Sequence, residues 1–128
     1  PDVSVHFLPF ANQSEMPVLY RMADLFALPS SSETWGLSVN EAMHLGLPCL
    51  VSDHVGCQAD LVTDRETGWV FRSGDPVNLR SKLNEALAAL EFDRHALRSA
   101  VLERISSYTY EQATAGLLQA LAFARKSS

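Results

Sequence analysis

The chain has 128 residues, 47% of them hydrophobic and 20% charged, with a formal net charge of −5. That length suits one domain, and an acidic balance without a lysine or arginine block argues against a nucleic-acid partner. No apolar run nears the ~18 residues needed to cross a bilayer, there is no signal-peptide pattern, and two cysteines make no disulfide framework. Cys49 sits in an apolar run and reads as buried, so the pair points to a reduced, cytoplasmic setting. No cysteine or histidine pair has metal-ligand spacing, and no metal site is expected.

In chain order, residues 3–8 read as a strand closed by Pro9 and followed by polar Asn12-Gln13-Ser14. Residues 15–23 place Val18, Leu19 and Met22 at helical spacing, with Pro17 tolerable only in the first turn. The apolar run 24–28, ended by Pro29, has the character of a strand covered on both faces. A helix is predicted over 38–45, with Gly46 just past its end. A strand at 48–51, a short helix at 56–62 and a strand at 68–71 follow. From Asp75-Pro76, a helix N-cap with proline at the first helical position, the period stays helical. Leu79, Leu83, Ala86, Leu87 and Leu90 form one stripe. A second helix is predicted from about 93 to 105, and a third from Thr109, where Thr-Tyr-Glu-Gln112 fits a capping box, to about 125. The order β-α-β-α-β-α-β followed by three helices specifies an α/β fold, a Rossmann-like parallel sheet with flanking helices. Such sheets bind ligands at the carboxyl ends of their strands. Loops 9–14, 29–38 and 52–57 leave those ends and are expected to converge on one rim.

The most specific stretch on that rim is Glu33-Thr34-Trp35-Gly36-Leu37-Ser38-Val39-Asn40-Glu41. A helix beginning near Ser38 presents free backbone N–H groups at its N-terminus, and their partial positive charge suits a phosphate. Gly36 removes a side chain that would obstruct close approach. Glu41, one turn in, can accept from the two vicinal hydroxyls of a ribose, and Glu33 can reach a sugar hydroxyl or a developing positive charge. Plainer readings stay open beside these. Ser38-Val39-Asn40-Glu41 fits the S-x-x-E capping box, in which Glu41 serves the helix's own N–H groups, and Glu33 in a serine-rich loop reads first as a solvated side chain. Trp35 reads as a packing residue, and Cys57 as a small filler without an adjacent base. His6, His44 and His54 are scattered singly. The residues alone specify an anion-binding α/β domain.

The runs Ala23-Asp24-Leu25-Phe26-Ala27-Leu28-Pro29-Ser30, Glu33-x7-Glu41-Ala42-Met43 and Gly46-Leu47-Pro48 resemble the retaining glycosyltransferases of the GT-B fold. The likeness is to the group-1 (family 4) branch, which includes bacterial polysaccharide and lipid glycosyltransferases, and covers roughly residues 3 to 90. It implies a hexosyltransferase-type parent that moves a sugar from a UDP or GDP donor to an acceptor hydroxyl in polysaccharide, lipopolysaccharide or glycolipid synthesis, without a cofactor. By position, Glu41 would bind the ribose, the amides of Gly36, Leu37 and Ser38 the diphosphate, and Glu33 the donor sugar near the reacting carbon. Phe10 and Ala11 would lie beside the base. Departures are Glu33-Thr34-Trp35-Gly36 in place of the usual Glu-Gly-Phe-Gly opening, which keeps the aromatic and the second glycine, Gly56-Cys57-Gln58-Ala59-Asp60 in place of Gly-Gly-x-Pro-Glu, and Pro9 where relatives have glycine.

On this resemblance the chain is a single nucleotide-sugar-binding domain, residues 1–128. It would lack its first β-α-β unit, with the basic pair that neutralises the diphosphate, and the whole N-terminal acceptor domain. No Asp-x-Asp metal motif substitutes for that pair. The isolated piece is expected to be inactive and to homodimerise through apolar surface on its last helix. The parent is expected to associate peripherally with a membrane. The alternatives are a GT-B-like nucleotide-sugar epimerase fragment and a non-enzymatic α/β binding domain.

Overall fold

In the computed structural model, which describes residues 3–126, three short parallel strands lie side by side in chain order in one sheet. The elements run α1 (Met16–Met22), β1 (Phe26–Leu28), α2 (Leu37–His44), β2 (Cys49–Ser52), α3 (Gln58–Leu61), β3 (Gly68–Phe71), α4 (Pro76–Ile105) and α5 (Tyr110–Lys126). Register pairs Phe26 with Cys49 and Leu28 with Val51, then Cys49 with Gly68 and Ser52 with Phe71. Every residue of β2 is buried, so the sheet is covered on both faces, as parallel sheets require.

The two-residue period of β2 divides the core. Cys49 and Val51 pack with Tyr20, Val39, Met43 and Leu61 on one face, while Leu50 packs with Trp69, Phe71, Ala86 and Leu90 on the other. α4 serves both faces because it breaks in the middle. Asp93 is non-helical (φ −154°, ψ 83°), and its Oδ1 accepts the Ala96 N–H at 2.9 Å, capping a new start. Before the break α4 buries Ala86 and Leu90 with Trp69; beyond it, Val101 and Ile105 join the Val39 cluster. The two helices predicted on either side of Asp93 are thus both present, and they meet at this kink. Asp75 caps its first turn as expected, accepting the Asn78 N–H at 2.9 Å.

Two predicted features are corrected. Residues 3–8 form no strand; they run as exposed, irregular chain, with Val3, Val5 and Phe7 facing solvent. Their alternation is strand-like, but a strand exists only where a neighbour pairs its backbone, and none does so here. The described sheet therefore has three strands, not four. The second correction concerns α2, whose N-cap is Gly36 and not Ser38, with no side-chain cap. Its other end is as expected: Gly46 and Leu47 donate to the carbonyls of Met43 (2.8 Å) and Ala42 (3.1 Å), the paired bonds of a Schellman motif.

α5 is the outlier. Thr109 Oγ1 accepts the Gln112 N–H at 3.3 Å, so the Thr109 half of the predicted cap is present. Residues 110–125 are exposed throughout, Leu117, Leu118 and Leu121 among them. No helix is long and apolar enough to cross a membrane among the described residues.

Candidate functional site

The loops leaving β1 and β2 are fastened together by their backbones. The Glu33 N–H donates to the His54 carbonyl (3.0 Å), the Gly56 N–H to the Glu33 carbonyl (2.9 Å) and the Cys57 N–H to the Trp35 carbonyl (2.8 Å). Side chains extend the seam: the Ser52 hydroxyl donates to the Ser30 carbonyl, and His54 Nδ1–H to that of Ser31 at 2.8 Å. Contact is so close that a Cβ on Gly56 would lie 1.9 Å from the Thr34 carbonyl oxygen. Two of the three loops expected on one rim therefore meet there.

This seam sets the start of α2. Gly36 adopts φ 103°, ψ 61°, a left-handed conformation that side-chain-bearing residues avoid, and a Cβ there would press on Val55 and Cys57. The Trp35 indole N–H donates to Asn40 Oδ1 at 2.9 Å, tying the loop to the helix it precedes. Trp35 thus has the anchoring role expected of it. The Val39 N–H is taken by the Gly36 carbonyl at 2.9 Å. The amides of Leu37 and Ser38 have no carbonyl one turn back to donate to, and carry the positive end of the helix dipole.

Glu41 is no cap. Its Oε2 accepts from the Tyr20 hydroxyl of α1 at 3.1 Å, while Oε1 has no protein partner among the described residues. Both residues line a cavity of about 250 Å³ between α1 and α2, together with Gln13, Met16, Pro17 and His44. Burial, then the neighbouring Glu41, pushes the Tyr20 hydroxyl up to about 12. Glu33 is half-buried at the seam, its Oε1 accepting the Trp35 N–H at 3.3 Å. It stands on the loop and Glu41 on the helix, at opposite ends of the same stretch.

Phe10 is 94% exposed, and neither it nor Ala11 lines the cavity beside Glu41; Gln13 does. Burial pushes the Cys57 thiol up to about 11, so it stays protonated and un-nucleophilic near neutrality, in keeping with a filler. Several basic side chains are engaged outside residues 33–41. Arg65 pairs with Glu85 (3.1 Å), Arg72 with Asp75 (3.5 Å) and Lys82 with Asp64 (3.1 Å); Arg98 donates to the Leu45 carbonyl (2.8 Å), and Arg94 pairs with Asp24. Sequence reasoning missed two features. Asn12 and Glu15 bond reciprocally in the turn before α1, Asn12 N–H to Glu15 Oε2 at 2.8 Å and Glu15 N–H to Asn12 Oδ1 at 3.2 Å, and their spacing was visible. Tyr20 carried no signal, because its partner lies 21 residues away.

The family model for glycosyl transferases group 1 matches residues 2–101. The chain belongs to the group 1 glycosyl transferases. Among curated relatives, a D-inositol 3-phosphate glycosyltransferase of Salinispora arenicola is 32% identical over 91% of this chain and 25% of its own length. A sulfoquinovosyl transferase of Arabidopsis thaliana is 35% identical over 78% of this chain and 20% of its own. Sucrose-phosphate synthase from Thermosynechococcus elongatus superposes with a TM-score of 0.77 at 27% identity, over 94% of this chain and 30% of that one. Anabaena HepE, solved in complex with UDP, shares the fold with a TM-score of 0.67 at 22% identity, over 88% of this chain and 30% of its own. This group 1 glycosyl transferase chain spans about a quarter of the length of the first of these relatives. The α/β architecture is that of the GT-B neighbours, in part of a domain.

Proposed function

We propose that the chain is the donor-binding part of a glycosyltransferase that moves a sugar from a nucleoside diphosphate to an acceptor hydroxyl with retention at the anomeric carbon. The observation that carries this reading is the pairing of two amides, Leu37 and Ser38, that have no partner among the described residues with a carboxylate oxygen of Glu41 one turn further on. Three residues of helix rise by about 4.5 Å, so both groups lie within the first turn and a half of α2. Family membership supports a nucleotide-sugar donor, and the UDP held by HepE, which shares the fold, supports a nucleoside diphosphate.

In this reading the Leu37 and Ser38 amides hold the diphosphate and stabilise charge that grows on it as the glycosidic bond breaks. Gly36 sets their direction, and Glu41 holds the ribose. Glu33 faces the donor sugar, and its carboxylate stabilises positive charge developing at the reacting carbon. The acceptor pocket, and the cations that would balance a departing diphosphate, are assigned to protein beyond these residues.

Calorimetric titration of the full chain with UDP and GDP tests the reading, with Glu41→Ala as the control. One of the two nucleotides is expected to bind with millimolar affinity or better, and the variant to bind it at least tenfold more weakly, the scale of a charged hydrogen bond. No binding by well-folded protein, or equal binding by the variant, contradicts it.

A further inference from the structure

Tyr20 is 5% exposed, and its ring is held on two sides. It meets Phe26 of β1 edge-on, with centroids 5.6 Å apart and planes at 81°, and it packs in the cluster that contains Val39, Ala42 and Met43. A ring so confined aims its hydroxyl in one direction. That direction is Glu41 Oε2, at 3.1 Å.

We infer that Tyr20 is a positioning residue for recognition of the ribose: it fixes the Glu41 carboxylate in the rotamer that offers its remaining lone pairs to a vicinal diol. This rests on the reading of Glu41 as the ribose ligand. A carboxylate has about four acceptor sites, and Tyr20 occupies one of them on Oε2. Glu41 and Tyr20 both line the cavity between α1 and α2. A glutamate on a helix surface otherwise samples several rotamers, and ordering it on binding costs free energy that a pre-set geometry avoids. Tyr20 remains a donor over the whole physiological range, because burial and the adjacent carboxylate keep its proton in place. The phosphate-holding amides are set by backbone, through Gly36 and the seam; the ribose-holding carboxylate is set by a side chain from another helix.

The consequence is selectivity between ribose and deoxyribose. The test compares binding of UDP and GDP with their 2′-deoxy forms to the full chain, to Tyr20→Phe, to Glu41→Ala and to the double variant. The unsubstituted chain is expected to prefer the ribose form about tenfold, the scale of one hydrogen bond to a charged group. Tyr20→Phe is expected to reduce that preference to about threefold or less, with deoxy-form affinity unchanged. In the Glu41→Ala background the same change is expected to do nothing, since coupled residues lose their interaction once. Phenylalanine keeps the ring and its contact with Phe26, and a circular-dichroism melt confirms that the fold persists. A preference that survives intact in Tyr20→Phe overturns the inference and leaves the Glu41 reading standing. So does an equal loss for both sugar forms, which marks a packing role. A preference absent from the unsubstituted chain, or retained by Glu41→Ala, removes the Glu41 reading and the inference with it.

Discussion

The rim around residues 30–57 and the two peripheral segments, 3–10 and 110–125, are all rich in apolar side chains, yet only the first buries most of them. At the rim, backbone groups of residues 33–35 bond directly to those of 54–57, and Gly56 allows the chains to touch. In the periphery, Val3, Val5, Phe7, Leu117 and Leu121 face solvent. Hydrophobic pattern creates a demand for burial, but only a paired backbone and a facing layer meet it. The rim has both within this chain.

That contrast can be broken at its tightest point. Gly56→Ala puts a methyl group 1.9 Å from the Thr34 carbonyl and forces the seam apart. A loss of about 3 kcal/mol or more in urea unfolding is expected, at the upper end of overpacking costs. A loss below 1 kcal/mol would mean that the seam is loose.

A smaller effect comes from pH. The Cys57 thiol and the Tyr20 hydroxyl, both buried on the rim side of the core, hold their protons more tightly in the fold, at about 11 and about 12, than their ordinary values of 9.0 and 10.0. The native state therefore binds more protons than the unfolded state above pH 9, and stability falls as pH rises. The contribution is whole below about pH 9 and is lost as pH climbs through 11 and 12. Urea midpoints at pH 8 and pH 10.5 are expected to differ, the alkaline one being lower, and a Tyr20→Phe, Cys57→Ala double variant to show a smaller drop. The smallest effect belongs to the periphery. Leu121→Ser is expected to change the unfolding free energy by no more than about 0.5 kcal/mol, as for surface positions in general. A loss above 1 kcal/mol would place α5 in the packed body.

Legibility in the sequence follows the same division. Local chemistry was readable: β3 spans residues 68–71 as expected, Asp75 caps α4, and Gly46 ends α2. The Glu33–Glu41 stretch lies where a strand hands over to a helix, as its composition indicated. The capping box at Ser38 failed because Gly36, in a left-handed conformation, starts the helix two residues earlier. With the helix begun at Leu37, Ser38 lies inside the first turn and its hydroxyl is no longer at the N-cap. The strand at 3–8 failed because alternation shows a willingness to pair and says nothing of a partner. Tyr20 could not have been found by spacing, since its bond to Glu41 exists only once α1 packs on α2.

The donor grip proposed for the rim comes down to two backbone amides, and they can be observed individually. Amide-resolved NMR of the full chain, titrated with UDP and GDP, follows the Leu37 and Ser38 N–H signals directly. The expected result is that these two amides shift downfield together, saturating with the same midpoint as the side-chain signals of Glu41. Saturable binding that leaves both amides unmoved would contradict the grip at the head of α2.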